Sequence, residues 1–172
     1  MRSNTSIKFT AFALALAAAL ISHAPTVMAA TATTTMGVTA TVLSTCVAVA
    51  TPVSFGNYSL VSLDASGLVT VTCTPDVLAY NVGMNAGTGS GATTSARKMT
   101  SLSSTDTLSY SLYRDAGRTQ NWGEAAGDMQ PSSAATTTVG TIKTFSVFGR
   151  LTANQTATLG AYLDTIQVTV NY

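Results

Sequence analysis

Tyr162-Leu163-Asp164-Thr165-Ile166-Gln167-Val168-Thr169-Val170-Asn171-Tyr172 is the last stretch of the 172-residue chain, and its reading decides the fold. Ile166, Val168, Val170 and Tyr172 alternate with Thr165, Gln167, Thr169 and Asn171. A period of two sends the apolar set to one face of a strand and the polar set to the other. The same period recurs upstream: Met36, Val38, Ala40 and Val42; Val69, Val71 and Cys73; Leu78, Tyr80, Val82 and Met84; Leu108, Tyr110 and Leu112; Phe145, Val147 and Gly149. No helical period is sustained anywhere after the first 29 residues. Turn chemistry separates the runs at Thr51-Pro52, Asp64-Ala65-Ser66-Gly67, Thr74-Pro75-Asp76, Arg114-Asp115-Ala116-Gly117 and Thr152-Ala153-Asn154. Short strands at such spacing predict an all-β sandwich or barrel.

The other end reads as a leader. Arg2 and Lys8 precede an uncharged Ala-, Leu- and Phe-rich run over 9–21, and Val27-Met28-Ala29 offers a small-residue cleavage site. That run is shorter than the roughly 20 apolar residues a spanning helix needs. Residues 1–29 are therefore expected to be removed on export; an uncleaved anchor helix is the competing reading. Removing 29 of 172 residues leaves about 143, enough for one domain. The lone histidine, His23, leaves with the leader. Six basic residues then face seven acidic ones, which gives no electrostatic footprint for nucleic acid.

Little in the remaining chain suggests catalysis. Without His23 there is no Ser–His or Cys–His pair, and the acids Asp64, Asp76, Asp106, Asp115, Glu124, Asp128 and Asp164 are scattered singly. The reading is a non-enzyme with no cofactor and no metal. Cys46 and Cys73 are an even pair in an exported chain, which favours a disulfide. Closing a loop of about 28 residues stabilises by roughly 3–4 kcal/mol in the chain-entropy model. Two core thiols or half of a metal site are the alternatives. Gly87-Thr88-Gly89-Ser90-Gly91-Ala92 fits no phosphate-loop spacing and reads as a mobile hairpin tip. Residues 121–138, poor in large apolar side chains, read as a second mobile loop. Within it Trp122 is either packing or a sugar-contacting aromatic.

The two ends make a pair. A long apolar-alternating strand at a sheet edge invites pairing with another chain. The segment before Cys46 is uncharged and extended by composition. Met36, Val38, Ala40 and Val42 on one face would serve as a strand given to a neighbour, or as the first strand of their own sandwich.

Six stretches carry a resemblance. Ser44-Thr45-Cys46, Val53-Ser54-Phe55-Gly56, Val69-Thr70-Val71-Thr72-Cys73, Tyr113-Arg114-Asp115-Ala116-Gly117-Arg118-Thr119, Val147-Phe148-Gly149-Arg150-Leu151 and the terminal stretch quoted first run in this order through nearly the whole exported part. In these the chain resembles the spore coat protein U domain family, which includes the major subunits of archaic, Csu-type chaperone–usher pili. The resemblance implies an incomplete immunoglobulin-like β-sandwich, completed by a donor strand from a neighbouring subunit. It divides the chain into a leader (1–29), a donor extension (30–43) and a pilin domain (44–172). It implies that Cys46 and Cys73 are the family's disulfide. The implied donor face is Met36, Val38, Ala40 and Val42, and the acceptor edge is Ile166, Val168, Val170 and Tyr172. A periplasmic chaperone, an outer-membrane usher and identical or homologous subunits are the implied partners. The implied destination is a surface fibre for adhesion and biofilm formation. A self-complemented secreted coat protein and an outer-membrane β-barrel are the rival expectations.

Overall fold

The computed structural model describes residues 33–77, 79–132 and 142–172. The expected leader, Leu78 and residues 133–138 of the second expected loop lie outside the described residues. The chain divides into two units, Met1–Ala40 and Thr41–Tyr172. In the first, residues 33–40 carry no regular secondary structure and are exposed.

The second unit is all β among the described residues. Its strands are β1 (Cys46–Ala50), β2 (Leu63–Cys73), β3 (Asn81–Met84), β4 (Arg97–Ser101), β5 (Thr107–Tyr113), β6 (Gln130–Pro131), β7 (Ile142–Leu151), β8 (Tyr162–Leu163) and β9 (Val168–Asn171). Six of them form one sheet in the order β1-β2-β7-β5-β4-β8, and three form a smaller sheet, β6-β3-β9. Every pairing is antiparallel. Two sheets with separate margins make a sandwich, not the closed barrel of the rival expectation.

The period-two pattern works as read. Val69, Val71 and Cys73 of β2, Leu108, Tyr110 and Leu112 of β5, and Phe145, Val147 and Leu151 of β7 are buried, and their neighbours in sequence point outward. The small sheet contributes Val82 and Met84 of β3, with Tyr80 just before the strand. Phe145 packs edge-to-face with Tyr80 and Trp122 at centroid distances of 6.3 and 6.4 Å.

Three expectations fail for physical reasons. Asp64-Ala65-Ser66-Gly67 is no turn: it lies inside β2, paired with Arg150, Gly149, Phe148 and Val147. Gly67 is small there because the chain leaving β1 crosses that face, and a Cβ would meet the Thr51 carbonyl oxygen at 2.8 Å. The loop beginning at Asn121 is anchored at its start. Trp122 is fully buried, its indole N–H donating to the Val82 carbonyl at 2.8 Å, so it is core and not an exposed sugar platform. The Gly87–Thr88 tip is likewise pinned, with the Thr88 N–H donating to Asp164 Oδ1 at 2.7 Å.

Gly149 shows how tightly the crossing chain packs. A Cβ on it would stand 2.8 Å from Val53 Cγ1 and 2.9 Å from Phe55 Cζ. Gly149→Val therefore forces Val53 and Phe55 off the sheet. The expected cost is about 2 kcal/mol, within the range for overpacked cores. It would be read as a lower urea midpoint with an unchanged slope; an unchanged midpoint would show that the segment 51–56 yields freely.

Candidate functional site: a groove between two sheet margins

β1 is one margin of the large sheet and β9 one margin of the small sheet. An open cleft of about 380 Å³ lies between the segment that leaves β1 and the chain that runs from β8 to the start of β9. One wall is Ala50, Thr51, Pro52, Val53 and Phe55; the other is Tyr162, Leu163, Asp164, Ile166 and Val168; Val69, Met84, Met99, Tyr110, Leu112 and Val147 form the floor. A second space of about 910 Å³ shares Pro52, Val53, Phe55, Met99, Tyr162 and Leu163 with it, so the groove continues toward Leu60 and Leu159.

Of the residues expected to form an acceptor edge, Ile166 and Val168 line the cleft, whereas Val170 and Tyr172 do not. β9 pairs with β3 through Asn81↔Asn171, Val82↔Val170, Gly83↔Thr169 and Met84↔Val168. Ile166, Val168 and Val170 are half-buried and pack on the core. Ile166 precedes the regular strand, and Tyr172 follows it, 60% exposed. Of the expected donor residues, Met36, Val38 and Val42 are each at least 80% exposed, and Ala40 is exposed as well.

Cys46 and Cys73 face each other across β1 and β2 and are joined by a disulfide. The bond fastens β1, a margin strand with one partner strand, to the body of the large sheet. Cys46→Ser with Cys73→Ser should cost about 3–4 kcal/mol and lower the yield of exported protein. Equal yield and an equal unfolding midpoint would show the bond to be dispensable.

The wall opposite β1 is held by polar groups the sequence reading passed over. Asp164 lies where the chain leaves β8 of the large sheet for β9 of the small one. Its Oδ1 accepts from the Thr88 N–H at 2.7 Å, the Thr88 hydroxyl at 2.9 Å and the Thr165 N–H at 2.8 Å; its Oδ2 accepts from the Tyr110 hydroxyl at 2.7 Å. Gly87 stands so close, at φ +85°, that a Cβ on it would collide with this carboxylate. Burial, and then the bond to Asp164, push the Tyr110 phenol's pKa well up from its ordinary value, so it stays a donor.

Arg97 does similar work behind the wall. It is fully buried on β4, and its guanidinium donates to the carbonyls of Asn85 (2.9 Å), Met84 (3.0 Å), Trp122 (2.6 Å) and Thr94. Burial lowers its pKa from the usual value, but an arginine remains charged. Asn85 completes the joint: its N–H donates to the Gln167 carbonyl at 3.1 Å, and its Oδ1 accepts from the Gln167 N–H at 2.9 Å. Arg97 and Asn85 thus fix the start of β9 against the end of β3.

The fold and the site define a class: an all-β, two-sheet antiparallel sandwich with an apolar groove open along one pair of margins. The chain belongs to the spore coat protein U domain family, whose model matches residues 32–169. Protein U of Myxococcus xanthus is 31% identical to it over 182 residues, covering 97% of this chain and 99% of that protein. A chain in the crystal structure of the CsuC–CsuE chaperone–tip adhesion subunit pre-assembly complex, from the archaic chaperone–usher Csu pili of Acinetobacter baumannii, matches with a TM-score of 0.57 at 25% identity. The match covers 77% of this chain and 41% of that one.

Proposed function

We propose that this chain is a structural subunit of a chaperone–usher pilus and that it polymerises by donor-strand exchange. The observation that carries the reading is the apolar groove open between the segment leaving β1 and the chain from β8 to the start of β9, in a chain whose alternating segment Met36, Val38, Ala40 and Val42 is exposed. Inserted into another copy's groove, that segment adds main-chain hydrogen bonds along the edge of β9 and seats its apolar face on the floor. Burying these side chains at roughly 1.5–3 kcal/mol per large residue supplies on the order of 5–9 kcal/mol, an upper bound, before ladder bonds of about 0.5–1.5 kcal/mol each. The relation to a chain from a chaperone–subunit complex supports a periplasmic chaperone as the first occupant of the groove. Export to the cell surface through an outer-membrane usher, and adhesion or biofilm formation by the fibre, complete the reading.

The test is the apparent mass of surface-extracted protein on a denaturing gel without boiling. A ladder of multiples that collapses to one subunit on heating is expected. A monomer band alone, from assembled surface material, would contradict the proposal and favour a self-complemented coat protein.

A further inference from the structure

An apolar trench open to water gains by closing on itself, since burying its walls removes apolar surface from solvent. A groove that receives a strand quickly must resist that collapse. Packing alone is non-directional, whereas hydrogen bonds fix distance and angle. The carboxylate of Asp164 is placed for this task. It stands on the wall at the crossing from the large sheet to the small one. It is tied at once to Tyr110 on the inner face of β5 and to Thr88 in the connection between β3 and β4, so three parts of the sandwich meet on one side chain. Gly87 has no room for a side chain beside it.

We propose that Asp164, Tyr110 and Thr88 form a positioning clip that holds the groove open and sets the edge of β9 for an incoming strand. Asp164 is its central residue. The inference rests on the donor-strand reading above and adds to it the residues that govern the rate of entry. A preorganised groove does not have to reopen each time, so loss of the clip slows association more than it loosens the fold.

The experiment uses the full exported chain carrying Val38→Asp, so that its own segment cannot serve as donor, and a fluorescent peptide copying residues 33–45. Association rate and thermal midpoint are measured for this chain, then with Tyr110→Phe, Asp164→Asn, Thr88→Val or Thr88→Ser added. Val71→Ala, in the core of β2 away from the groove lining, provides a destabilised comparison. Tyr110→Phe, Asp164→Asn and Thr88→Val are expected to slow peptide association at least tenfold. Thr88→Ser, which keeps the hydroxyl, should retain the original rate, and Val71→Ala should lower the midpoint without slowing entry. Unchanged rates in the first three variants, or a slowing by Val71→Ala as large as theirs at a similar drop in midpoint, would overturn the clip while leaving the donor reading standing. Failure of the peptide to bind the Val38→Asp chain itself would overturn both.

Discussion

Val38→Asp is expected to abolish fibre assembly while leaving the subunit's own fold intact. Val38 is 83% exposed, so a carboxylate there costs the isolated chain nothing measurable. On insertion the same carboxylate would enter a floor of Val69, Met84, Met99, Leu112 and Val147, with no cation among the described lining residues. Taking an unpaired charge out of water costs at least several kcal/mol, which matches or exceeds the roughly 5–9 kcal/mol upper bound for the whole apolar face. Fibre yield and the unfolding midpoint measured together decide the matter. Lost fibres with an unchanged midpoint are expected; wild-type fibre yield would remove Val38 from the donor face.

Arg97→Ala should have the largest effect on stability, about 3–5 kcal/mol, by the joint loss of charge-assisted bonds and of buried volume. The substitution leaves the carbonyls of Met84, Asn85 and Trp122 without this donor and opens a cavity at the joint between β3, β4 and the start of β9. Lysine is not expected to rescue it, because one ammonium cannot reproduce the planar fork that reaches four carbonyls. Urea unfolding of Arg97→Ala and Arg97→Lys measures this directly. A loss below about 1 kcal/mol in the alanine variant would mean that water satisfies those carbonyls equally well.

The alternating run that contains Val38 has no regular secondary structure over 33–40, so its donor role rests on the proposal above. Alternation is readable where a strand forms, because strand geometry imposes it residue by residue. β2, β5 and β7 were readable for the same reason, and β9 from its Val-Thr-Val-Asn run. Arg97 was missed because Arg97-Lys98-Met99-Thr100 looks like a solvated stretch. Its burial is set by carbonyls that come from residues 84, 85, 94 and 122, a convergence that no local pattern records. Asp164 was quoted within a family motif but read as one of several scattered acids, since its partners Thr88 and Tyr110 are 76 and 54 residues away. Gly67 misled in the opposite direction. Asp-Ala-Ser-Gly has turn composition, but the glycine answers the close approach of Thr51 and Val53, a tertiary demand that overrides local propensity. The groove itself was anticipated only as an edge; its floor and the polar wall needed the fold.

Hydrogen exchange on assembled material compared with monomeric subunit tests the central claim most directly. If one chain's segment completes the next chain's sheet, the amides of residues 36–42 and those amides of Val168–Asn171 that are not already bonded to β3 gain protection together on assembly. Both should lose it together when heat dissociates the polymer. Fibres in which residues 36–42 exchange as fast as an unstructured peptide, or monomers in which those amides are already protected, would contradict donor-strand exchange as the way this chain assembles.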